Sequence, residues 1–257
     1  MKISVITVVR NAARTIKETI ASVAGQRHPD IEYIVIDGAS TDGTMEILKQ
    51  HRDKIARLVS EPDDGIYDAM NKGIALATGD VIGFLNADDF YADETVLEQV
   101  AQTLVDPDID ACYADLVYVD SKDPGRVRRY WRSCPYRPGL FERGWMPAHP
   151  TFFARRTIYQ RYGGFDLKFK LQSDFELTMR FLRVHGVRSR YVPGIWVRMR
   201  MGGATNRSVA NVIRGNLEAY RACRKHHLGV SPVFVVQKVL SRVGQFLNKP
   251  SSGEEHV

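Results

Sequence analysis

Ile3-Ser4-Val5-Ile6-Thr7-Val8-Val9, then Ala12 to Gln26, then Ile31-Glu32-Tyr33-Ile34-Val35-Ile36-Asp37 is the stretch that decides the fold. The first run is β-branched and unbroken, the pattern of a strand buried on both faces. Ala12 to Gln26 reads as a helix, with Ile16, Ile20 and Val23 on one face and Gly25 near its end. The third run is a second strand. Working outward, a Thr41-led helix reaches Gln50, Ile55 to Ser60 gives a third strand, Tyr67 to Ala77 a helix, and Val81 to Leu85 a fourth strand. Strands alternating with helices predict parallel pairing through right-handed crossovers, hence a layered α/β domain around a mainly parallel sheet.

Beyond residue 108 the pattern loosens. Ile109 to Val119 reads as a strand, followed by a basic stretch in which Arg126, Arg128, Arg129 and Arg132 interleave with Tyr130 and Trp131. Asp174 to Val184 has helical spacing at Phe175, Met179 and Leu182. Arg188 to Val192 and Ile195 to Met199 read as two short strands around Pro193-Gly194, and 209–226 and 233–247 as closing helices.

The composition excludes a disordered, collagen-like or disulfide-built chain: 44% of the 257 residues are apolar and 26% charged. Three cysteines, Cys112, Cys134 and Cys223, form no CxxC pair and are odd in number, which argues against a disulfide framework or structural zinc and for a reducing compartment. The apolar run after Lys2 is too short for a signal peptide, and no run reaches the roughly 18 apolar residues of a membrane span. The net charge of +6 points to acidic partners, whether phosphates, nucleic acid or an anionic membrane surface.

Two predicted strands end in acid. One runs into Asp37-Gly38-Ala39-Ser40-Thr41-Asp42-Gly43, the other into Asn86-Ala87-Asp88-Asp89. Ligands of open parallel sheets bind beyond the carboxyl ends of the strands, so both acids are expected at one crevice. Helix capping is the alternative for Asp37 and the favoured reading of Asp42. It accounts less well for adjacent Asp88 and Asp89, which repel unless a cation or solvent separates them. Hard carboxylate oxygens suit Mg²⁺ or Mn²⁺, which take one or two of them plus substrate phosphates. Gly38 and Gly43 have P-loop spacing, but Thr44-Met45 replaces its Lys and Ser/Thr, and no GxGxxG follows a strand.

Three ordered motifs carry a resemblance: Ser4 to Asn11, Val35 to Thr44, and Gly79 to Asp89. Together they are similar to the family 2 inverting glycosyltransferases of the GT-A fold. Glu61-Pro62-Asp63-Asp64-Gly65-Ile66-Tyr67-Asp68-Ala69-Met70-Asn71-Lys72-Gly73 resembles the bacterial surface-polysaccharide branch. The resemblance implies a Rossmann-like GT-A domain over 1–208, with a nucleotide-sugar half at 1–107 and an acceptor half at 108–208. A helical extension at 209–250 and a loose tail at 251–257 would follow. It also implies that Asp37 hydrogen-bonds the nucleotide base, with Thr7, Val8 and Arg10 lining the pocket. Asp64 and Lys72 would lie beside the nucleotide and diphosphate, where a loop acid and a surface helix charge are the plainer readings. Asp88 and Asp89 match a metal-binding DxD-type motif whose first position is Asn86, joining the donor site, and the implied cofactor is Mn²⁺ or Mg²⁺. Which of the two carboxylates ligates the metal stays open.

The same resemblance makes Asp174, in Leu171-Gln172-Ser173-Asp174-Phe175-Glu176, the general base, although an acid opening a helix is also an ordinary cap. Met146 to Phe153 resembles the segment entering the sheet beneath the acceptor. His149 within it either touches the acceptor or diphosphate or is a buried structural histidine. Met201 to Asn206 resembles a mobile loop near the donor. Arg198 and Arg200 before it read equally as phosphate contacts or solvent-facing charges. The apolar stripe from Val233 to Leu247, with Lys238, Arg242 and Lys249, packs on its own domain or a twin subunit, or lies in a membrane interface. With the Arg126–Arg132 cluster, the membrane reading suits a polyprenyl-diphosphate-linked acceptor and a cytoplasmic protein at the inner face of the membrane. The alternatives are a nucleotidyltransferase and a non-catalytic basic module. Nucleic acid is not expected as a partner, because such a module has no use for Asp37, Asp88, Asp89 and Asp174.

Overall fold

The computed structural model describes residues 1–201, 209–231 and 234–235. In chain order the first half runs β1 (Ile3–Val9), α1 (Ile16–Ala24), β2 (Ile31–Asp37), α2 (Thr44–Gln50), β3 (Arg57–Ser60), α3 (Ile66–Leu76), β4 (Val81–Phe84), β5 (Phe90–Tyr91) and α4 (Val96–Thr103). The second half runs β6 (Ala111–Val119), β7 (Val127–Trp131), β8 (Phe153–Arg155), α5 (Arg156–Tyr162), α6 (Ser173–Met179), β9 (Ser189–Arg200) and α7 (Val209–Lys225).

One curled sheet holds these strands in the order β3-β2-β1-β4-β8-β6-β9-β5, with β7 also on β6. β3, β2, β1 and β4 pair in parallel, as the alternation predicts. β1 is buried along its whole length, and its side chains alternate between two cores. Ile3, Val5 and Val9 meet Ile16, Ile20 and Val23 of α1 and Val96, Leu97 and Val100 of α4 on one face. Ile6 and Val8 meet Ala69 and Met70 of α3 on the other, in a core that also takes Phe175 and Leu177 of α6 and Ala219, Ala222 and Cys223 of α7. This is an α/β/α layered domain.

The second half departs from its sequence reading. β9 is one strand of 12 residues, not two, because it runs parallel to β6 for the length of that strand. Pro193-Gly194 falls where the register with β6 shifts, and Gly194 takes a φ of 135° there. The basic stretch contains β7, antiparallel to the far end of β6. β8 pairs antiparallel with β4 and with the start of β6, joining the two halves. The helix opening at Ser173 changes at Arg180 to a π-helical turn ending at Val184. Of the expected mobile loop, residues 202–206 lie outside the described residues. So does the expected helix 233–247, except for Phe234 and Val235. Phe234 is buried against Phe175 and Tyr220.

Candidate active site

The parallel strands deliver their carboxyl ends to one edge, and the chain after each strand builds the site there. After β4 comes the turn Asn86 to Asp89. Thr15 and Thr19 of the α1 region hold it by donating their hydroxyls to the carbonyls of Ala87 (2.9 Å) and Asp89 (2.8 Å). Asp89 is buried; its carboxylate accepts from the Asn86 amide at 2.8 Å and from the Arg200 backbone N–H at 3.2 Å. Burial, and then the neighbouring charge of Asp88, push its carboxyl well above the usual carboxylate range. Asp88 is only half-buried.

After β2, Asp37 is fully buried, with Oδ2 accepting from the Ser60 hydroxyl (2.7 Å) and the Ser40 N–H (3.1 Å), and Oδ1 from the Ser40 hydroxyl. Arg10, exposed after β1, and the Asp63 carboxylate both crowd Gly38, where a Cβ would collide with Asp63. Gly43 rather than Asp42 is the N-cap of α2, and Asp42 braces the turn before it, its Oδ1 accepting from the Thr44 N–H at 3.1 Å.

Asp174, in the first turn of α6, joins this edge through Tyr67 in the first turn of α3. The Tyr67 hydroxyl donates to Asp174 Oδ1 at 3.1 Å, and the Phe175 N–H donates to the same oxygen at 2.8 Å. His149 is buried and stacked on Phe84, the last residue of β4, and feels the charge of Asp174. Burial holds its imidazole below the ordinary range, so it is neutral near pH 7, and its Nε2 has no hydrogen-bond partner among the described residues.

Buried Asp89 and half-buried Asp88 therefore lie together at the end of a central strand, and Tyr67 brings Asp174 to the edge that α3 enters. The model of glycosyl transferase family 2 matches residues 4–171. The chain belongs to glycosyltransferase family 2. A PGL/p-HBAD biosynthesis glycosyltransferase of Mycobacterium bovis is 30% identical over 192 residues, covering 74% of this chain and 73% of that protein. Among solved structures, TarS of S. aureus in complex with UDP-GlcNAc aligns at a TM-score of 0.65 and 17% identity, over 95% of this chain and 72% of that one. The mannosyltransferase PcManGT of Pyrobaculum calidifontis in complex with GDP-Man and Mn²⁺ aligns at 0.66 and 21% identity, over 93% and 68%. At those identities the likeness is one of fold, and it makes this chain a GT-A glycosyltransferase in architecture.

In this family 2 glycosyltransferase not every expected side chain reaches the edge. Thr7 is buried within β1, its hydroxyl accepting from Tyr33 at 3.1 Å, and Val8 is 7% exposed, so the strand offers the edge mainly main chain. Lys72 pairs with Glu61 (2.8 Å) and Asp68 (3.4 Å) and donates to the Pro62 carbonyl (2.8 Å), which ties the 61–65 loop to α3. Asp64 is exposed. With Gly65, Tyr67, Leu167, Phe169 and Lys170 it lines a small surface pocket. Arg200 is not the solvent-facing charge that was one of its two sequence readings. It is buried, lies over the Phe90 ring, donates to the Asp88 carbonyl at 2.6 Å and pairs with Glu18.

Asp63 and Tyr67 are the contributors that sequence reasoning missed. Asp63 stands next to Asp64 in one acidic pair, and only the fold turns it toward Gly38. Arg200 had the right charge, but nothing local reveals that the end of β9 returns to the Asn86–Asp89 turn.

Whether the turn suits a divalent cation follows from its donors. Asp89 is buried and accepts from Asn86 and Arg200, whereas Asp88 is half-buried, and a cation beside the pair would relieve the repulsion that raises Asp89. Among the described residues no three His, Cys, Asp or Glu side chains are grouped to hold a metal. An ion at this turn would take one carboxylate and complete its shell with phosphate and water, which is a coordination that Mg²⁺ and Mn²⁺ accept.

Proposed function

We propose that the protein is a metal-dependent, inverting glycosyltransferase that moves a sugar from a nucleotide-diphosphate sugar to a hydroxyl of a glycan acceptor in bacterial polysaccharide or lipopolysaccharide biosynthesis. The observation that carries the proposal is the Tyr67–Asp174 hydrogen bond, which ties Asp174 to the helix that follows the donor-side loop. Asp88 would hold Mn²⁺ or Mg²⁺. When bound, the ion neutralises charge on the diphosphate leaving group.

The chain's own residues supply the rest. Asp37, with Arg10 and the main chain around Thr7 and Val8, recognises the nucleoside; the Asp37 oxygens have acceptor capacity beyond their bonds to Ser40 and Ser60. Asn86 and Arg200 fix Asp89, and Asp89 fixes the turn that presents Asp88. The 61–65 loop, held by Lys72, brings Asp64 and Asp63 beside the donor. Asp174 accepts the proton of the acceptor hydroxyl. That oxygen attacks the anomeric carbon as the carbon–oxygen bond to the diphosphate breaks, releasing a nucleoside diphosphate and inverting the configuration. His149, neutral and buried, lines the acceptor side.

A polyprenyl-diphosphate-linked acceptor, contact with the inner face of the membrane through residues 233–247, and a homodimer are the parts of this reading that rest on sequence alone. Among the described residues, no helix is long and apolar enough to cross a membrane. The release of pyrophosphate would favour nucleotidyl transfer instead, but membership of family 2 argues for sugar transfer.

Nucleoside diphosphate release from UDP-GlcNAc, UDP-glucose and GDP-mannose, each with and without Mn²⁺ and with anionic vesicles carrying polyprenyl-diphosphate sugars, tests the proposal. One donor is expected to turn over with Mn²⁺. Asp174→Asn should lower turnover by about 10²–10⁴-fold, the usual worth of a general base, while leaving donor binding unchanged. Near-parental turnover by Asp174→Asn removes that residue from the reaction.

A further inference from the structure

We propose that Tyr67 is a positioning residue for Asp174, fixing one carboxylate oxygen so that the other is presented to the acceptor hydroxyl. The inference rests on the reading of Asp174 as the base.

The two residues are 107 positions apart and belong to different helices, yet the phenol meets Oδ1 at 3.1 Å. The Phe175 N–H binds the same oxygen, so Oδ1 is held from two sides. Oδ2 has no hydrogen bond to protein among the described residues, and it is the oxygen left to take a proton. Burial and the charge of Asp174 push the Tyr67 hydroxyl well above its ordinary range, so it remains a donor at any working pH.

Tyr67 is itself held. Its ring stacks on Phe165 at 5.3 Å, and Phe165 is pinned through both main-chain groups by the Asn71 amide, at 2.8 and 2.9 Å. Asn71 is on the same helix as Tyr67, so Tyr67, Phe165 and Asn71 close a rigid loop. Gly164 makes this possible, because a Cβ there would strike the Asn71 side chain. His149, across Phe165, and Glu218 of α7 act on the pair by charge and make no hydrogen bond to it, and Asp64 and Lys170 line the pocket beside Tyr67. Tyr67 also follows directly on the 61–65 loop, so one helix start reaches both the donor loop and the base. A general base loses rate steeply with small displacements, which gives such an anchor kinetic weight.

Tyr67→Phe keeps the ring and removes only the hydroxyl. Crystal structures of the parent and the variant at one pH are expected to differ in the orientation of the Asp174 carboxylate. With the donor that turns over in the panel above, kcat is expected to fall about tenfold while the KM for donor stays within about twofold. A merely structural role would move neither the carboxylate nor kcat at constant KM. An unchanged carboxylate orientation, or a kcat at the parental level, overturns the inference. Asp174→Asn separates the two ideas: if it remains active, the base assignment fails, whereas an inactive Asp174→Asn beside a parental Tyr67→Phe refutes only the anchor.

Discussion

Asn86 stands where the family motif has an acid, and its amide explains the exchange. Asp89 is buried and needs a donor; Asn86 supplies one at 2.8 Å, which a carboxylate cannot do. Asn86→Asp removes that donor and sets a third acid against Asp88 and Asp89. Loss of a hydrogen bond to a buried acceptor costs about 1–3 kcal/mol. Urea unfolding should show a loss of that size without metal, recovered in part by Mn²⁺ as the cation screens the acids. Equal stability of the parent and the variant in both conditions would refute this account of the turn. At the same scale, Asp88 and Asp89 are indistinguishable in sequence. Burial separates them into Asp89, which shapes the turn, and Asp88, which is half-buried beside it.

At the scale of elements, α3 lies close against β1 because Gly73 leaves room for Ile6; a Cβ at that position would strike the Ile6 side chain. Glycine within a helix ordinarily costs up to about 1 kcal/mol relative to alanine, so Gly73→Ala on an exposed helix would stabilise. Here it should destabilise by about 1–3 kcal/mol through overpacking, and calorimetry on the purified variant reads the sign directly. A gain in melting temperature would mean that α3 can move off the sheet at little cost. Tyr67 is on the same helix, so the seating of α3 against the sheet also sets the site.

The elements from β1 to β4 were legible because each carries its own period, unbroken apolar strands and helices with one apolar face, whereas β5 and α4 had no sequence reading. The ends were less legible. The turn over residues 13–15 precedes α1, and the turn at Asp42-Gly43, with Gly43 at a φ of 92°, delays α2 to Thr44, so turn geometry rather than periodicity sets those starts. β7 was hidden by its arginines. Its Arg129 is buried over the Tyr118 ring at 4.7 Å, a contact that only pairing with β6 creates.

For the molecule as a whole, Glu32 joins segments far apart in sequence. Its carboxylate accepts from Ser4 (2.6 Å), from the Thr78 N–H (2.7 Å) and hydroxyl (2.7 Å), and from Lys2 (3.3 Å), linking β1, β2 and the entry to β4. Burial alone would raise its carboxyl, but these donors outweigh it and hold it down at about 2, against an ordinary 4.5. A depressed native value means that the stabilisation is fully present above the ordinary carboxylate range and is lost as pH falls through about 2. Glu32→Gln should therefore be less stable than the parent at neutral pH, with the difference shrinking as acid is added. A stability gap that stays constant from pH 7 to pH 2 would show that charge is not what Glu32 contributes.

The parallel α/β half and the presence of acids at its carboxyl edge were determined by the sequence alone, because strand and helix periods are local properties of neighbouring residues. The roles within that edge were decided only by tertiary structure. Burial of Asp89 but not Asp88, the return of Arg200 to the Asn86–Asp89 turn, and the meeting of Tyr67 with Asp174 depend on which distant segments pack together. Solvent exclusion and hydrogen-bond partnership arise from that packing, and no local pattern of residues records them.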